Sequence, residues 1–331
     1  MPLLPADPPS SSLTRRPAAL RQAPDTTDSP RSARMARQPA APLTLAPALA
    51  RTVAKVMTLV TAALVAGCAS RPAEPPPQAR RETLWVVTDA AELLRVQAGR
   101  PQQVLQRTPL RGLAGGERLV GIDFRVARGL LYALGSGGRL YTLDTASGQL
   151  TPVGAGAPVA LDGQHFGVDF NPVADRLRVV SDRGQNLRLH PDTGALAATD
   201  PPLSWQASAG TGLPAPRVAG AAYTYNTRQT TLTTNYAIDL DAGWLLTQGS
   251  VEGLQPAISP NTGQLMRVGA LGTGALEDAS FDIADTDNAA LAALRRQGRT
   301  RLYGIDLASG QATLLGTLAE GRALWGLAIE P

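Results

Sequence analysis

The sequence predicts an all-β fold, a β-propeller of about five four-stranded blades whose ring is closed by the C-terminal strand. The first observation is a repeat: GVDFNPVADRLRVVSDRGQNLRLHPDTG at 167–194 follows the pattern of GIDFRVARGLLYALGSGGRLYTLDTASG, which starts 46 residues earlier. The second is a series of glycine turns at similar spacings, and the third is a C-terminal strand that nothing follows. A period in the forties, made of short strands and turns, is typical of propeller blades.

Residues 1–55 precede the folded part and are rich in Pro, Ala, Ser and Arg, without hydrophobic periodicity. They are a disordered leader or an over-extended start, because a start at Met35 would leave a signal of ordinary length. Eight basic and three acidic residues precede Cys68, so the net charge of +4 leaves −1 for the remainder. The folded part therefore lacks the positive excess of a nucleic-acid-binding domain, and we expect no nucleic-acid partner.

Residues 56–67 are predicted to be a lipoprotein signal, with an apolar segment and a cleavage site. The apolar run is about eleven residues long, which is too short for a membrane-spanning helix and typical of a signal peptide behind basic residues. The segment Val65-Ala66-Gly67-Cys68 looks like a bacterial lipobox. We therefore predict that Cys68, the only cysteine, is lipidated and that the chain is anchored to the membrane through this lipid.

Residues 68–82 are predicted to be a Pro-rich tether between the lipidated cysteine and the propeller. Because Ala69 rather than Asp follows the cysteine, the sorting rule of enteric bacteria favours the outer membrane. We expect an outer-membrane lipoprotein of the cell envelope that faces the periplasm or the exterior.

The propeller is predicted to occupy residues 83–331 and to begin with strands at 84–88, 92–96 and 103–106. Five hairpin glycines follow one another at spacings of 49, 46, 69 and 47 residues: Gly99, Gly148, Gly194, Gly263 and Gly310. Glycine adopts the positive φ of such turns at the least cost, so we expect this backbone conformation at all five. Five turns indicate about five blades.

The blades after the second one are less regular. The long third interval contains an irregular loop at Asp200–Arg217 and then strands at 218–225, 231–238 and 244–248. The Ala- and Leu-rich segment Asn288–Arg296 is predicted to form a short helix. The last strand, Leu324–Ile329, resembles the inner strand at 119–124, so we expect it to complete the N-terminal blade of a monomeric ring.

The repeated phrases DFNPVADRLRVVSDRGQNLRLHPDTG, LVGIDFR and GLLYALGSGGRLYTLDTASG resemble the bacterial family catalogued as domain of unknown function 4394. The resemblance extends from about Leu84 to Ile329, and its most specific part is the polar turn at Ser181–Asn186. It implies a propeller-like protein that is secreted or anchored to a membrane. Because the family has no established catalytic residues to transfer to this chain, the resemblance leaves the activity open.

Three aspartates at one position of successive inner strands are candidate ligand-binding residues: Asp123, Asp169 and Asp282. Around a central channel they could hold a cation such as Ca²⁺ with oxygen ligands. Alternatively, they point between blades and accept backbone N–H groups, as buried polar groups must. We favour the structural interpretation because a catalytic site normally interrupts a repeat.

His165 is a further candidate, since it lies in the loop that enters an inner strand and could reach the mouth of the channel. The cluster Asp282, Asp285, Asp287 and Asn288 lacks the Gly and the closing Glu of a calcium loop, so we predict no metal there. The chain carries no G-x-S-x-G, H-E-x-x-H or phosphate-binding glycine motif. If a site exists, we expect it where the repeat is interrupted, at 162–166, 200–217 or 284–298.

These observations predict a lipid-anchored, non-catalytic binding or scaffolding propeller without a cofactor, whose partner is a protein or a glycan. The alternative is a metal-dependent hydrolase or lactonase that uses the inner-strand carboxylates, with Ca²⁺ as its cation. A role in assembling the envelope is a third possibility. The enzyme hypothesis requires the aspartates to converge on a pocket with another polar group, whereas the structural one requires bonds to an adjacent blade.

Overall fold

The computed structural model describes residues 74–207 and 212–331, so the predicted leader, the signal and Cys68 lie outside the described part. Within that part the strands form five antiparallel sheets arranged in a ring. The predicted all-β propeller is confirmed. No helix of the described residues is long and apolar enough to cross a bilayer.

Three blades have four antiparallel strands that come from one continuous segment of chain. The strands of blade I, from the axis outward, are β4 (Leu119–Arg125), β5 (Leu130–Gly135), β6 (Leu140–Leu143) and β7 (Leu150–Pro152). Those of blade II are β8 (Phe166–Asn171), β9 (Arg176–Ser181), β10 (Asn186–Leu189) and β11 (Leu196–Thr199). Those of blade IV are β17 (Asp278–Ile283), β18 (Ala290–Arg296), β19 (Arg299–Ile305) and β20 (Ala312–Thr317).

Blade III has a fifth strand, which comes from the irregular loop that the sequence indicates. Its strands from the axis are β13 (Val218–Tyr223), β14 (Asn235–Asp239), β15 (Trp244–Gln248) and β16 (Gln264–Ala270), with β12 (Ser204–Trp205) parallel to β16 at the outer edge. The predicted second strand begins at Asn235 rather than Thr231, because the chain before it forms a loop. Residues 208–211 of the irregular segment lie outside the description.

Blade V closes the ring as the repeat predicts. Its inner strand is β21 (Leu324–Ile329), and its outer strands are β1 (Thr83–Thr88), β2 (Glu92–Gln97) and β3 (Val104–Pro109). The register pairs Leu84 with Ile329 and Val86 with Leu327. Strand β1 is therefore hydrogen-bonded on both sides, and the inner edge of the blade is supplied by the end of the chain.

The predicted helix at Asn288–Arg296 is wrong, because this segment contains β18, the second strand of blade IV. Alternate side chains pack into different cores: Ala292 and Leu294 lie between blades III and IV, whereas Leu291 and Ala293 lie between blades IV and V. A strand that is buried on both faces is apolar throughout and shows no alternation. Ala and Leu in such a run favour a helix by propensity, and the sheet overrides that propensity.

Four of the five predicted hairpin glycines adopt a positive φ, namely Gly148 (71°), Gly194 (69°), Gly263 (73°) and Gly310 (81°). Gly99 does not, so the prediction is wrong for this turn. A Cβ atom there would lie 2.1 Å from the backbone oxygen of Gln78. Glycine is required at this turn because another segment of backbone approaches it.

That segment, residues 74–82, lies against blades IV and V. The Gln78 amide donates to the Gly99 carbonyl at 3.0 Å, and the Ala98 amide donates to the Glu82 carbonyl at 2.9 Å. At its start, the Glu74 carboxylate accepts bonds from the Thr317 amide (2.8 Å) and from the Thr317 hydroxyl. This part of the predicted tether is thus joined to the propeller by backbone and side-chain hydrogen bonds.

Candidate functional site

The inner strands meet around the axis of the ring, where a small residue lets adjacent blades approach. A Cβ on Gly121 would lie 2.4 Å from the Val168 side chain, and one on Gly167 would lie 2.6 Å from the Ala221 nitrogen. The position two residues further along each strand carries an aspartate in blades I, II and IV and an alanine in blades III and V: Asp123, Asp169, Asp282, Ala222 and Ala328. We call the three aspartates the axial carboxylates.

The axial carboxylates are buried and bond to the free edges of the inner strands. Asp123 accepts one N–H from its own blade, that of Phe124, and one from blade II, that of Phe170, both at 2.7 Å. Asp282 likewise accepts the N–H of Ile283 in its own blade and that of Ile329 in blade V, both at 2.6 Å. Each carboxylate thereby joins two blades.

Asp169 differs from the other two because only one of its oxygens bonds to backbone, accepting the Tyr223 amide of blade III at 2.8 Å. The three carboxylates together thus accept five backbone N–H groups, one from each inner strand. In every strand the donor is the residue that follows the aspartate or alanine. Blades I and IV each follow a blade that has an alanine at this position. The N–H groups of these two blades are therefore accepted by their own aspartates, Asp123 and Asp282. The second oxygen of Asp169 accepts no backbone N–H, and the Asp169 carboxyl hydrogen-bonds to that of Asp123.

The structure brings the three predicted aspartates together, with carboxylate oxygens within 4.8 Å of one another. Burial, together with the charge of neighbouring carboxylates, raises the pKa of Asp123 and of Asp169 well above the usual value. Burial also raises the pKa of Asp282 to about 7. A proton held by one carboxyl of such a buried pair removes the repulsion between like charges.

One residue that the sequence did not single out, Tyr225, lies near this group. Burial and the nearby axial carboxylates raise the pKa of the Tyr225 phenol above its usual range. The backbone of Tyr225 is held by Asn288, whose side chain accepts from the Tyr225 amide (2.7 Å) and donates to its carbonyl (3.0 Å). The hydroxyl adds a neutral group near the axis.

The six oxygens of the axial carboxylates are poorly suited to binding a cation. Five of the six already accept a backbone N–H, which occupies part of their capacity to bind a cation. Ca²⁺ requires six to eight oxygen ligands in a flexible arrangement. Three carboxylates whose oxygens mostly hold backbone N–H groups are a poor match to that arrangement.

His165 lies immediately before the first residue of β8, and the structure does not bring it to the axial carboxylates. Its Nδ1 atom is 2.8 Å from Oδ1 of Asp278, and this hydrogen bond raises the pKa of the imidazole. The histidine precedes Asp169 by four residues, which is ~13 Å along an extended strand. It borders a cavity of only about 20 Å³ with Arg118 and Trp325.

The polar turn at Ser181–Asn186 is held together by its own bonds. The Ser181 hydroxyl donates to the Asp162 carbonyl at 2.6 Å and accepts the Gln185 amide at 3.2 Å. Asn186, at the end of the turn, accepts a bond from the Arg178 guanidinium. The turn therefore positions groups of blade II rather than presenting a site of its own.

A cavity of about 660 Å³ lies between blades II and III. One wall is the face of blade II that is turned toward blade III, and the other is formed by the loops at 229–233 and 250–261. Its charged lining residues among the described residues are Arg176, Arg178, Arg188 and Glu252. None of the three segments expected to hold a site lines it, although Asp200 bonds to two of its arginines. We call this space the interblade cavity.

The interblade cavity is not predicted from the sequence, although the sequence contains one signal of it. Arg176 and Arg178 alternate on β9, and Arg188 is the cross-strand partner of Arg178 on β10, so all three lie on one face of blade II. The opposite wall could not be predicted because it consists of loops.

Comparison with solved structures finds similar chains at low identity. Dihydro-heme d1 dehydrogenase NirN is 15% identical, with a TM-score of 0.34, over 74% of this chain and 46% of that one, so this chain spans less than half of its length. The nidogen/laminin complex contains a chain that is 12% identical, with a TM-score of 0.43, over 76% of this chain and 99% of that one. Myxococcus xanthus glutaminyl cyclase is 14% identical, with a TM-score of 0.39, over 65% and 83%. Comparison with curated proteins gives no match.

A family model matches residues 92–328, which cover nearly all of the propeller. The matched range contains the three axial carboxylates and all of the arginines of the interblade cavity. The chain belongs to the family described as domain of unknown function (DUF4394).

Proposed function

We propose that this protein is a lipid-anchored propeller of the cell envelope that binds a ligand in the interblade cavity and catalyses no reaction. The observation that carries the proposal is the cavity itself. Its volume of about 660 Å³ falls in the range of small-molecule sites, and polar groups converge on it from two blades. Because its walls include loops, the site can differ between relatives while the ring stays the same.

The geometry at the axis supports a non-catalytic role. The axial carboxylates converge, as the hydrolase alternative requires, but each also accepts an N–H from an adjacent blade, as the structural interpretation requires. Their exposed fractions are 3–6%, so they lie inside the ring. A group that satisfies backbone N–H bonds at the core is a poor general base, since moving it would open the inner edges of two blades.

The predicted lipobox supports anchoring at the envelope. Its test is Cys68→Ser, which should remove labelling by a radioactive or clickable fatty acid and release the protein into the soluble periplasmic fraction. Retention of the variant in the membrane fraction would contradict the anchor.

Ligand binding is tested by a pull-down of the detergent-solubilised lipoprotein, with captured proteins and glycans identified by mass spectrometry. Ala174→Trp places a large side chain at an exposed position that lines the cavity. Ala127→Trp is its matched control, since Ala127 is exposed in the corresponding turn of blade I. Loss of a captured partner with the first variant alone supports the proposal, and equal capture by both variants contradicts it.

The hydrolase alternative retains one supporting observation, the convergence of three carboxylates within 4.8 Å. It predicts that Ca²⁺ raises the unfolding temperature of the wild type and not that of Asp169→Asn. Our proposal predicts no calcium-dependent difference between the two.

A further inference from the structure

The interblade cavity has a basic wall. Arg178 is almost completely buried and fixed in place: it donates to the Tyr223 hydroxyl at 2.7 Å, to Asp200 at 3.0 Å, and to the side-chain oxygens of Asn186 and Asn261. With so many partners, this guanidinium forms a rigid floor.

The two other arginines of this wall are more accessible. Arg188 is half-buried and forms a two-point ion pair with the Asp200 carboxylate, at 2.8 and 2.9 Å, so it shares this carboxylate with Arg178. Arg176 makes no ion pair with any described residue. Its guanidinium donates only to the backbone oxygen of Asp175, at 2.8 Å. Arg176 therefore retains donors that face no carboxylate.

The opposite wall does not neutralise this charge. Its one carboxylate, Glu252, accepts from Asn226 at 3.0 Å and from the Thr224 hydroxyl at 3.3 Å, so it is held by its own blade. Three guanidinium groups in and around the cavity thus face two carboxylates, Asp200 and Glu252, which leaves one positive charge in excess. The unmatched cation is Arg176.

Three apolar side chains that line the cavity are exposed. Val173, Val251 and Leu254 expose 42%, 37% and 56% of their surfaces. These are three of the six large hydrophobic side chains that are exposed among the described residues. Exposed apolar residues that cluster around a concave site mark a binding surface.

We propose that the interblade cavity binds an amphiphile with one anionic head group, a carboxylate or a phosphate, and an apolar body. The head group pairs with the guanidinium fork of Arg176, which suits both anions. The apolar body lies against Val173, Val251 and Leu254. This inference rests on the proposed function and adds the chemical class of the ligand.

The test is calorimetric titration of the full chain carrying Cys68→Ser, purified without detergent, with decanoate, decyl phosphate, acetate and decyltrimethylammonium. We expect decanoate or decyl phosphate to bind, acetate to bind more weakly, and the cation not to bind. The two anionic probes distinguish a carboxylate from a phosphate source. Binding should weaken as the salt concentration rises, because the ion pair is partly exposed.

Arg176→Gln should weaken binding of the anionic probe about 10-fold or more, which is the loss of one charge-assisted pair. Arg128→Gln, at an exposed arginine of blade I, is the matched control and should change nothing. Leu254→Ser should weaken decanoate binding and leave acetate binding unchanged. These substitutions lie at accessible positions, so folding is checked by an unchanged unfolding midpoint.

The outcomes separate this inference from the proposed function. Equal affinity for decanoate and decyltrimethylammonium, or an unchanged affinity in Arg176→Gln, would overturn the anionic class. If no probe binds while Ala174→Trp still removes a captured partner, the inference fails and ligand binding at the cavity stands. If no probe binds and Ala174→Trp has no effect either, both fail.

Discussion

Asp169→Asn is the sharpest test of how the axial carboxylates hold the ring together. One oxygen of Asp169 accepts the Tyr223 amide, the other accepts no backbone N–H, and the carboxyl hydrogen-bonds to that of Asp123. An asparagine can keep the first bond with its oxygen and donate to Asp123 with its amide. In Asp282, by contrast, both oxygens accept backbone N–H groups. The asparagine of Asp282→Asn must therefore turn its NH₂ group toward one of these two backbone N–H groups.

The expected changes in the free energy of unfolding follow from these bonds and from the pKa values. At pH 5, Asp282→Asn should lower the free energy of unfolding by ~1–3 kcal/mol, the cost of one unsatisfied buried N–H, and Asp169→Asn should be nearly neutral. A carboxyl with a raised folded pKa binds a proton in the folded state that the unfolded chain releases, so stability is present at low pH and is lost as the pH rises. For Asp282 the folded pKa of about 7, against 3.8, corresponds to ~4 kcal/mol lost between about pH 4 and pH 7.

Asp169→Asn removes one such proton. We expect its unfolding free energy to decline less steeply with pH than that of the wild type, by up to ~1.4 kcal/mol per pH unit, and to exceed it at pH 8. The assay is urea denaturation at pH 5 and pH 8, followed by tryptophan fluorescence. An Asp169→Asn variant as unstable at pH 5 as Asp282→Asn would refute the assignment of the oxygens.

Three further outcomes are expected. Gly167→Ala should lower the free energy of unfolding by ~1–3 kcal/mol in urea titrations, because its Cβ would lie 2.6 Å from a backbone nitrogen of blade III; an unchanged midpoint would show that the inner strands can separate. Deleting residues 322–331 should abolish the cooperative thermal transition and cause aggregation in light scattering, because β1 loses its partner β21; a monomeric deletion variant that still unfolds cooperatively would contradict the closure. The bond to Asp278 raises the pKa of His165, so its contribution to stability is present at low pH and is lost as the pH rises through the raised pKa. Asp278→Ala should remove that dependence, and an NMR titration of His165 that is the same in both proteins would refute it.

Much of the fold was predictable because the blades repeat. The three aspartates share one position of the repeat, so the sequence predicts that they lie at the same level of the ring. The sequence does not predict that three aspartates accept an N–H from all five inner strands. The number of N–H groups that each carboxylate accepts depends on the alanines Ala222 and Ala328 and on which oxygen turns toward which blade. Side-chain rotamers decide this, and a repeat does not encode them.

The errors have local physical causes. The segment around Leu291 is buried on both faces, so its apolar run fits a helix and a strand equally well. Gly99 occupies a turn in which the limiting contact comes from Gln78, a residue that the sequence assigns to a tether. The interblade cavity depends on two loops of blade III, whose paths follow from tertiary contacts rather than from any periodicity.

The position of β1 within blade V has a mechanical consequence. A pull on the chain from the side of residue 74 first meets the hydrogen bonds of Glu74 and Gln78, and only then reaches β1. Because β1 is paired on both edges, with β2 and with β21, the load is distributed over two ladders at once. If the N-terminal side is fixed to a membrane as proposed, the point of attachment is also the sheet in which the two ends of the propeller are joined. Tension would therefore be resisted at the seam of the ring, where shearing one strand means breaking bonds to both neighbours.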